Sequence, residues 1–448
     1  MSAENLKHAA EAARHTAVRR TVSEVLPDGT LVELLYRPAE RRTLFLVWQE
    51  GQVRYEDSLL VDDRRLLPYS PENNLLRNDV VLFPSDTAEY GAEQDLVAEI
   101  QRFVHRYVDV SALFEKLASY YVLFTWVYDA FNELPYLRLL GDPGSGKTRF
   151  LLTVGSLCYK PIFASGASTV SPLFRILDAV RGTLIVDEGD FRLSDERAEI
   201  VKILNNGNGR GFPVLRTEVS STREFNPTAY AVFGPKLVAT RGLFEDRALE
   251  SRCLTEVMGQ RRLRADVPIN LPNEHKDAAL ALRNKLLLFR LRTLGRTSSP
   301  EGLVDPSLEP RLNQVLVPLL SVIHDERTRT ELRDLARRFN RELVSDRALT
   351  AEAQVLEVIR DLLAAESPLS VKEVTGLFTD RHGEEYERKV TPKWVGFLLR
   401  NRLHLRTEKR HGAFVVPNSE RPALERLFER YGIEPVTATD AAPPALVA

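Results

Sequence analysis

The chain has 448 residues, 61 Lys+Arg against 63 Asp+Glu, a formal net charge of −2, and 44% hydrophobic and 28% charged residues. That length allows about three domains, and the composition excludes a largely disordered, collagen-like or coiled-coil chain. The near-zero charge balance excludes a uniformly basic nucleic-acid coat, so any basic surface must be local.

Cys158 and Cys253 are the only cysteines, too few for a disulfide framework or a four-ligand zinc site. Both are expected in the core of a protein kept in a reducing, cytoplasmic setting. The longest uncharged apolar stretches, 117–128 and 312–323, are about half the ~20 residues that a membrane helix needs, so no span is expected. Met1 to Arg20 is charged and Ala-rich without an apolar h-region, unlike a secretory signal.

Residues 4–20 read as a short polar helix. Short apolar runs then predict strands over 22–26, 31–36, 44–48, 52–55 and 80–83, with turns at Pro27-Asp28-Gly29 and Glu50-Gly51. Helical spacing begins at Glu93, through Leu96, Ile100, Phe103 and Val104, and a second apolar helix is expected from Ser111 to Phe131. Its aromatic residues are assigned to the core.

Three further apolar runs, 136–140, 183–186 and 235–239, alternate with helical stretches at 148–158, 172–180 and 195–205. This is the alternation of a parallel sheet covered by helices. Residues 274–295 and 307–345 read as helical. After Ala351 comes a helix-helix-helix-hairpin pattern, then a short helix and an Ala/Pro/Thr tail. The implied domains are 1–92 (helix and β-rich module), 93–265 (α/β core), 266–350 (helical lid), 351–418 (helix-hairpin domain) and 419–448.

Gly141-Asp142-Pro143-Gly144-Ser145-Gly146-Lys147-Thr148 fits G-x-x-x-x-G-K-[ST]. Glycines let the backbone aim N–H groups at phosphate oxygens at the positive end of the following helix. Lys147 is expected to reach the β/γ-phosphates and Thr148 to bind Mg²⁺. The position of the motif, between a predicted strand and a predicted helix, is its confirming context. The run Thr183 to Val186 ends in Asp187-Glu188. There Asp187 suits the metal and Glu188 suits activation of the attacking water.

The third strand ends at Thr240, and Arg247 and Arg252 follow. Together, loop lysine, Asp-Glu, a polar residue ending the next strand and a later arginine resemble the AAA+ ATPases. In that family the polar residue, here Thr240, is sensor 1. The arginine, here Arg252 with Arg247 as rival, is a finger reaching the nucleotide of the neighbouring subunit. A finger supplied in trans implies a homo-oligomeric ring, and the family expectation is a hexamer. Arg311 and Arg283 are the candidates for a lid arginine.

Between Asp187 and the third strand, a Gly/Asn-rich turn and a hairpin carry Arg210, Arg216 and Arg223, with Lys202 nearby. In superfamily 3 and minichromosome maintenance helicases a hairpin in this place tracks DNA in the ring channel. The resemblance makes these arginines candidate phosphate contacts, although a solvated or subunit-contacting hairpin is also open. Residues 381–411 hold nine Lys/Arg against four Asp/Glu, a net +5, and the helix-helix-helix-wing pattern resembles a winged-helix domain. Lys393, Arg400, Arg402, Arg406, Lys409 and Arg410 would face nucleic acid, although winged helices also mediate protein contacts.

The order of modules over residues 20–420, and above all the stretch Tyr121 to Thr148, resembles helicase-like ATPases of phages, plasmids and integrated elements, often found beside primase-polymerases. The resemblance implies an α/β AAA+ P-loop core with a β-rich N-terminal module, a helical lid and a C-terminal winged-helix domain. It implies ATP and Mg²⁺ as cofactors and single-stranded or forked DNA as partner, with a primase-polymerase partner in view. The leading expectation is an ATP-dependent DNA helicase or translocase. An ATP-switched DNA-binding initiator and a protein-remodelling AAA+ ATPase are the alternatives.

Overall fold

The computed structural model describes residues 17–165, 169–187, 195–217, 226–244, 246–260, 262–298, 301–348, 350–364, 369–386, 389–410 and 412–434. The chain forms two compact units that divide at Arg333 and Asp334.

The first unit opens with seven short strands: β1 (Ala17–Thr21), β2 (Ser23–Val25), β3 (Leu31–Arg37), β4 (Arg42–Gln49), β5 (Gln52–Glu56), β6 (Leu59–Val61) and β7 (Arg64–Pro68). β2 to β5 form an antiparallel meander. β7 pairs antiparallel with β6 and parallel with β1. Val32, Phe45, Val47 and Leu66 form a small shared core. The expected helix over 4–20 is corrected at its end, since residues 17–20 are strand and residues before 17 lie outside the described ones. Pairing with β7 satisfies the backbone there and buries Thr21, so tertiary context overrides local propensity. A four-residue helix, α1 (Asn74–Arg77), comes next. The expected strand at 80–83 shrinks to one bridge between Val81 and Ile162.

Helix α2 (Glu93–Tyr107) buries Leu96, Ile100, Phe103 and Val104, as the spacing predicts. Helix α3 (Ala112–Trp126) starts at Ser111, whose Oγ accepts from the Phe114 N–H at 3.2 Å. Phe114, Tyr120, Tyr121, Phe124, Trp126, Tyr128 and Phe131 are all buried, which makes this run core.

The central layer follows in the order β8 (Tyr136–Leu140), α4 (Lys147–Gly155), β9 (Ile162–Ser165), α5 (Val170–Val180), β10 (Leu184–Asp187) and α6 (Asp195–Asn206). A two-stranded hairpin, β11 (Val214–Arg216) and β12 (Thr228–Tyr230), leads into β13 (Lys236–Thr240), α7 (Arg247–Glu250) and β14 (Cys253–Val257). The five-stranded sheet has the order β14-β8-β13-β10-β9, and every pairing in it is parallel. Its three central strands are the three apolar runs of the sequence, buried on both faces. The two edge strands, β9 and β14, are additional to that reading. Cys158 and Cys253 are buried free thiols, and burial pushes Cys253 up to about 12.

Helices α8 (Glu274–Thr293), α9 (Pro310–Ser321) and α10 (Glu326–Ala348) follow. The helix expected over 307–345 is two helices. Asp325 Oδ2 accepts from the Thr328 N–H at 2.9 Å and so caps a new helix start. The second unit holds α11 (Ala351–Ala364), α12 (Val371–His382), α13 (Pro392–Phe397), the hairpin β15 (Glu408–Arg410) and β16 (Ala413–Val415), and α14 (Arg421–Tyr431). They enclose a core containing Val355, Ile359, Phe378, Val395 and Leu424. No helix among the described residues is long and apolar enough to cross a membrane.

One buried ionic cluster joins three parts of the first unit. Arg290 of α8 is 2% exposed. Its Nε donates to Glu33 of β3 at 2.7 Å, and its two Nη atoms donate to the Asp129 carboxylate at 2.8 and 2.6 Å. The Tyr159 hydroxyl also donates to Glu33, at 2.6 Å. Removing the arginine alone leaves two carboxylates buried without their counter-charge. Arg290→Met should therefore cost about 3–5 kcal/mol in urea denaturation. Arg292→Met, which breaks an exposed pair with Glu89, should cost under about 1 kcal/mol.

Candidate nucleotide-binding site

The phosphate-loop motif folds where the sequence places it, between β8 and α4. Gly146 has φ +95°, a left-handed conformation open to glycine. Gly141 serves a different need: a Cβ there would meet the Met258 carbonyl oxygen at 2.8 Å. Lys147 is buried, and its Nζ donates to the carbonyls of Gly141 and Asp142, the latter at 2.7 Å, with Ser145 Oγ at 3.4 Å. The ammonium is thus held by the rim of the loop it would serve. Asp142, Pro143 and Gly144 are exposed around it.

Thr148 Oγ1 donates to Asp187 Oδ2 at 2.7 Å, so two residues 39 positions apart meet at the C-terminal end of the sheet. A hydroxyl and a carboxylate are hard oxygen donors suited to Mg²⁺, which takes few protein ligands and draws the rest from water and phosphates. Among the described residues no group of three or more His, Cys, Asp and Glu could hold a metal.

β13 lies between β8 and β10, and Thr240 ends it, opposite Leu140. The Thr240 side chain is 2% exposed, and its hydroxyl is buried without a hydrogen-bond partner among the described residues. An orphaned hydroxyl costs desolvation free energy, and one beside a phosphate loop marks a place for a polar ligand atom. Glu188 lies outside the described residues.

A cavity of about 330 Å³ adjoins the loop. Gly144 and Ser145 form one side, and Met258, Leu263, Val267 and Ile269 the other, with Asp109 and Gln260 as polar groups. Leu263 and Ile269 are 53% and 78% exposed, an apolar wall open to a planar base. Arg149 of α4 donates to the carbonyls of Pro268 and Ile269 and so holds that wall to the loop helix. Sequence reading missed this pocket, because its residues lie on an irregular segment without a motif.

The arginines sit elsewhere. Arg252 immediately precedes β14, and its carbonyl accepts from the Tyr136 N–H at 2.9 Å at the start of β8. It is therefore at the sheet end opposite the loop, about 16 Å away along five strand residues. Its Nη1 donates to Asn205, its Nε is buried without a partner among the described residues, and its pKa is lowered by burial and then by the nearby Arg311 guanidinium. Arg247 opens α7. That helix is tied to β8 by Arg138, 1% exposed, whose guanidinium pairs with the Glu250 carboxylate and whose Nε donates to Thr255 Oγ1 at 3.0 Å. Nothing in the sequence singled out Arg138. Arg283 donates to the Ser156 carbonyl at 2.8 Å, past the far end of α4 and away from the loop.

Of the hairpin arginines, Arg223 lies outside the described residues. Arg216 stacks over Phe174 at 5.0 Å. Arg210 sits at the hairpin base, where its Nε donates to the Phe131 carbonyl at 2.9 Å and its guanidinium covers Phe233 at 4.5 Å. In the second unit Lys393, Arg400, Arg402, Arg406, Lys409 and Arg410 are all exposed. Arg400 lies 6.0 Å from the ring centre of Phe414, which is half exposed.

Two substitutions test this geometry. Thr240→Val removes only the orphaned hydroxyl, so thermal stability should hold or rise slightly while nucleotide turnover falls about 10- to 100-fold. Leu263→Asp, at an exposed position, should raise KM for the nucleotide about tenfold with kcat nearly unchanged, by steady-state kinetics.

No protein-family model and no curated protein sequence matches the chain. Solved structures show low-level likeness. The C-terminal region of NrS-1 has a TM-score of 0.35 at 11% identity, over 86% of this chain and 97% of that one. A full-length MCM homolog from Methanopyrus kandleri has a TM-score of 0.33 at 13% identity, over 72% and 80%. The Aeropyrum pernix Orc1 protein in complex with DNA has a TM-score of 0.23 at 15% identity, over 74% and 96%. At these values the likenesses do not fix the fold, and the assignment of the site rests on the chain's own residues.

Proposed function

We propose that the chain is an AAA+ ATPase that acts on DNA as a helicase or translocase, working as a homo-oligomeric ring. The observation that carries the nucleotide half is the Thr148–Asp187 contact at 2.7 Å, beside a phosphate loop and a buried hydroxyl without a partner.

In this reading Lys147 leaves the loop carbonyls for the β/γ-phosphate oxygens of ATP. Thr148 and Asp187 would hold Mg²⁺, which would supply charge to offset that of the phosphates. Glu188, next to Asp187 in the chain, takes a proton from the attacking water, and Thr240 orients that water through its free hydroxyl. The apolar wall of Leu263 and Ile269 receives the base.

Arg252 is about 16 Å from its own loop, too far for contact within one subunit, which supports a role toward the nucleotide of the next one. Arg311, close enough to depress the pKa of Arg252, would join it there. Two neighbouring guanidiniums favour an anion between them, and a γ-phosphate is such an anion. The DNA half is supported by the arrangement of the second unit. Three helices and a hairpin, with exposed cations on the third helix and the hairpin strand, suit a winged-helix domain gripping phosphates.

Glu188→Gln should retain ATP binding and lose at least about 100-fold in turnover, measured by phosphate release. Wild-type turnover in that variant would remove Glu188 from the mechanism. Chelation of Mg²⁺ should abolish hydrolysis. On a forked DNA, ATP should drive strand displacement by the wild type and not by Lys147→Ala. ATPase stimulated by single strands without displacement would instead mark a DNA-binding switch that does not translocate.

A further inference from the structure

A cavity of about 1800 Å³ lies in the first unit, at the sheet end opposite the phosphate loop. It is bounded by the β2–β3 turn and the end of β4, the turn after α3, the base of the β11–β12 hairpin and the last turn of α8. No role in nucleotide chemistry reaches it. Its size exceeds the roughly 300–1,000 Å³ of small-molecule sites, and Arg181, Arg210 and Arg296 on its walls are exposed.

The lining holds six Lys/Arg (Lys160, Arg181, Arg210, Arg290, Arg292 and Arg296) against three carboxylates (Glu24, Glu50 and Asp129). Arg290 is neutralised by Asp129 and Glu33, and Arg292 by Glu89. Arg181 and Arg296 have no side-chain partner among the described residues. Arg181 also has φ +51°, as the left-handed residue that closes α5. Glycine is the low-cost residue at such a place, and an arginine there is locally strained. The Tyr128 hydroxyl donates to its carbonyl at 2.9 Å and helps to fix the backbone. Arg210 is held by the Phe131 carbonyl and the Phe233 ring. Trp48 and Phe233, both half-buried, bring aromatic surface to the same walls.

We propose that this cavity binds a single-stranded polynucleotide, with Arg181 and Arg296 on its phosphates and Trp48 against its bases. Preset cations interleaved with aromatic faces are the requirements of a single strand, whose bases are free to stack, more than those of a small anion. The site also adjoins the moving parts of the proposed engine. Arg210 and Gly211 belong to the hairpin base, and Ala231 and Phe233 lead into β13, the strand that ends at Thr240. A strand held here bears on the segment that carries the water-positioning hydroxyl. The proposal rests on the reading of the chain as a nucleic-acid-dependent ATPase.

The test is fluorescence anisotropy of the full chain with labelled 20-nucleotide oligo(dT) and oligo(U) across a salt series. For Arg181→Ala/Arg296→Ala, Kd should rise about tenfold and the log–log salt slope should become shallower by about 1.4, two phosphates at ~0.7 each. DNA-independent ATP hydrolysis and the thermal midpoint should stay unchanged. Arg181→Lys/Arg296→Lys should keep most of the slope, because a lysine still neutralises a phosphate. Tighter binding of one oligonucleotide, with the same response to the variants, supports the site and identifies DNA or RNA as its occupant. An unchanged Kd and slope in the alanine variant, while Lys409→Ala/Arg410→Ala weakens binding, would overturn the cavity site and leave the DNA reading standing. No binding of either oligonucleotide by the wild type at low salt would overturn both.

Discussion

Strand β13 is flanked on both sides by parallel neighbours and is buried along its whole length, from Lys236 to Thr240. Its position fixes what each end of the sheet can do. At its C-terminal end Thr240 pairs with Leu140, the residue before the phosphate loop begins, so the orphaned hydroxyl is carried to the nucleotide side by strand register alone. At its N-terminal end Lys236 is wholly buried, and Nζ donates to the carbonyls of Val232 and Gly234 at 3.0 and 2.9 Å and of Gly207 at 3.3 Å. Gly207 opens the segment that leads to the hairpin. One five-residue strand therefore joins the hairpin base to the candidate water-positioning group.

The chemistry of Lys236 sharpens that connection. Its ammonium faces three carbonyl dipoles and the Tyr136 ring at 5.1 Å, and burial lowers its pKa to about 7. A buried cation that relies on carbonyl dipoles needs them at short range and fixed orientation. Displacing the hairpin base would cost those bonds, unless β13 moves with it. Close-packed interiors transmit such displacements because they have few voids to absorb them. Under the proposed function, force on the hairpin and chemistry at Thr240 thus share one mechanical element.

The candidate nucleotide and metal residues are legible in the sequence because that chemistry needs particular side chains at fixed spacing, as Gly141 to Thr148 and Asp187 illustrate. The three central strands are legible because strands buried on both faces are continuous apolar runs. What escapes such reading has no local signature. β9 and β14 are short edge strands whose pairing is decided by the sheet, and β1 is a strand only because β7 offers it hydrogen bonds. The break between α9 and α10 is marked by a side-chain cap at Asp325. Arg138 and Arg290 look like ordinary charges in the sequence, and only folding shows that each is buried against carboxylates distant in the chain. The sequence suggests a hairpin phosphate contact for Arg210, and the structure adds that this exposed residue sits at the hairpin base, held by an aromatic ring and backbone carbonyls.

The charge distribution follows the same logic. A net of −2 conceals arginines of three kinds. Arg138 and Arg290 are consumed by buried carboxylates and act as structure. Arg252, at the sheet end away from the loop, has its pKa lowered by burial and then by the Arg311 guanidinium, with Asp246 opposing the shift. Arg181 and Arg296, with the cations of α13 and β15, stay exposed. A uniformly basic surface would hold a polyanion everywhere and release it slowly. Under the proposed function, phosphate contacts limited to the cavity and the hairpin domain would hold it at few points. A small movement that frees a single phosphate would then weaken the proposed grip by a large fraction, which is the condition for stepping along a strand.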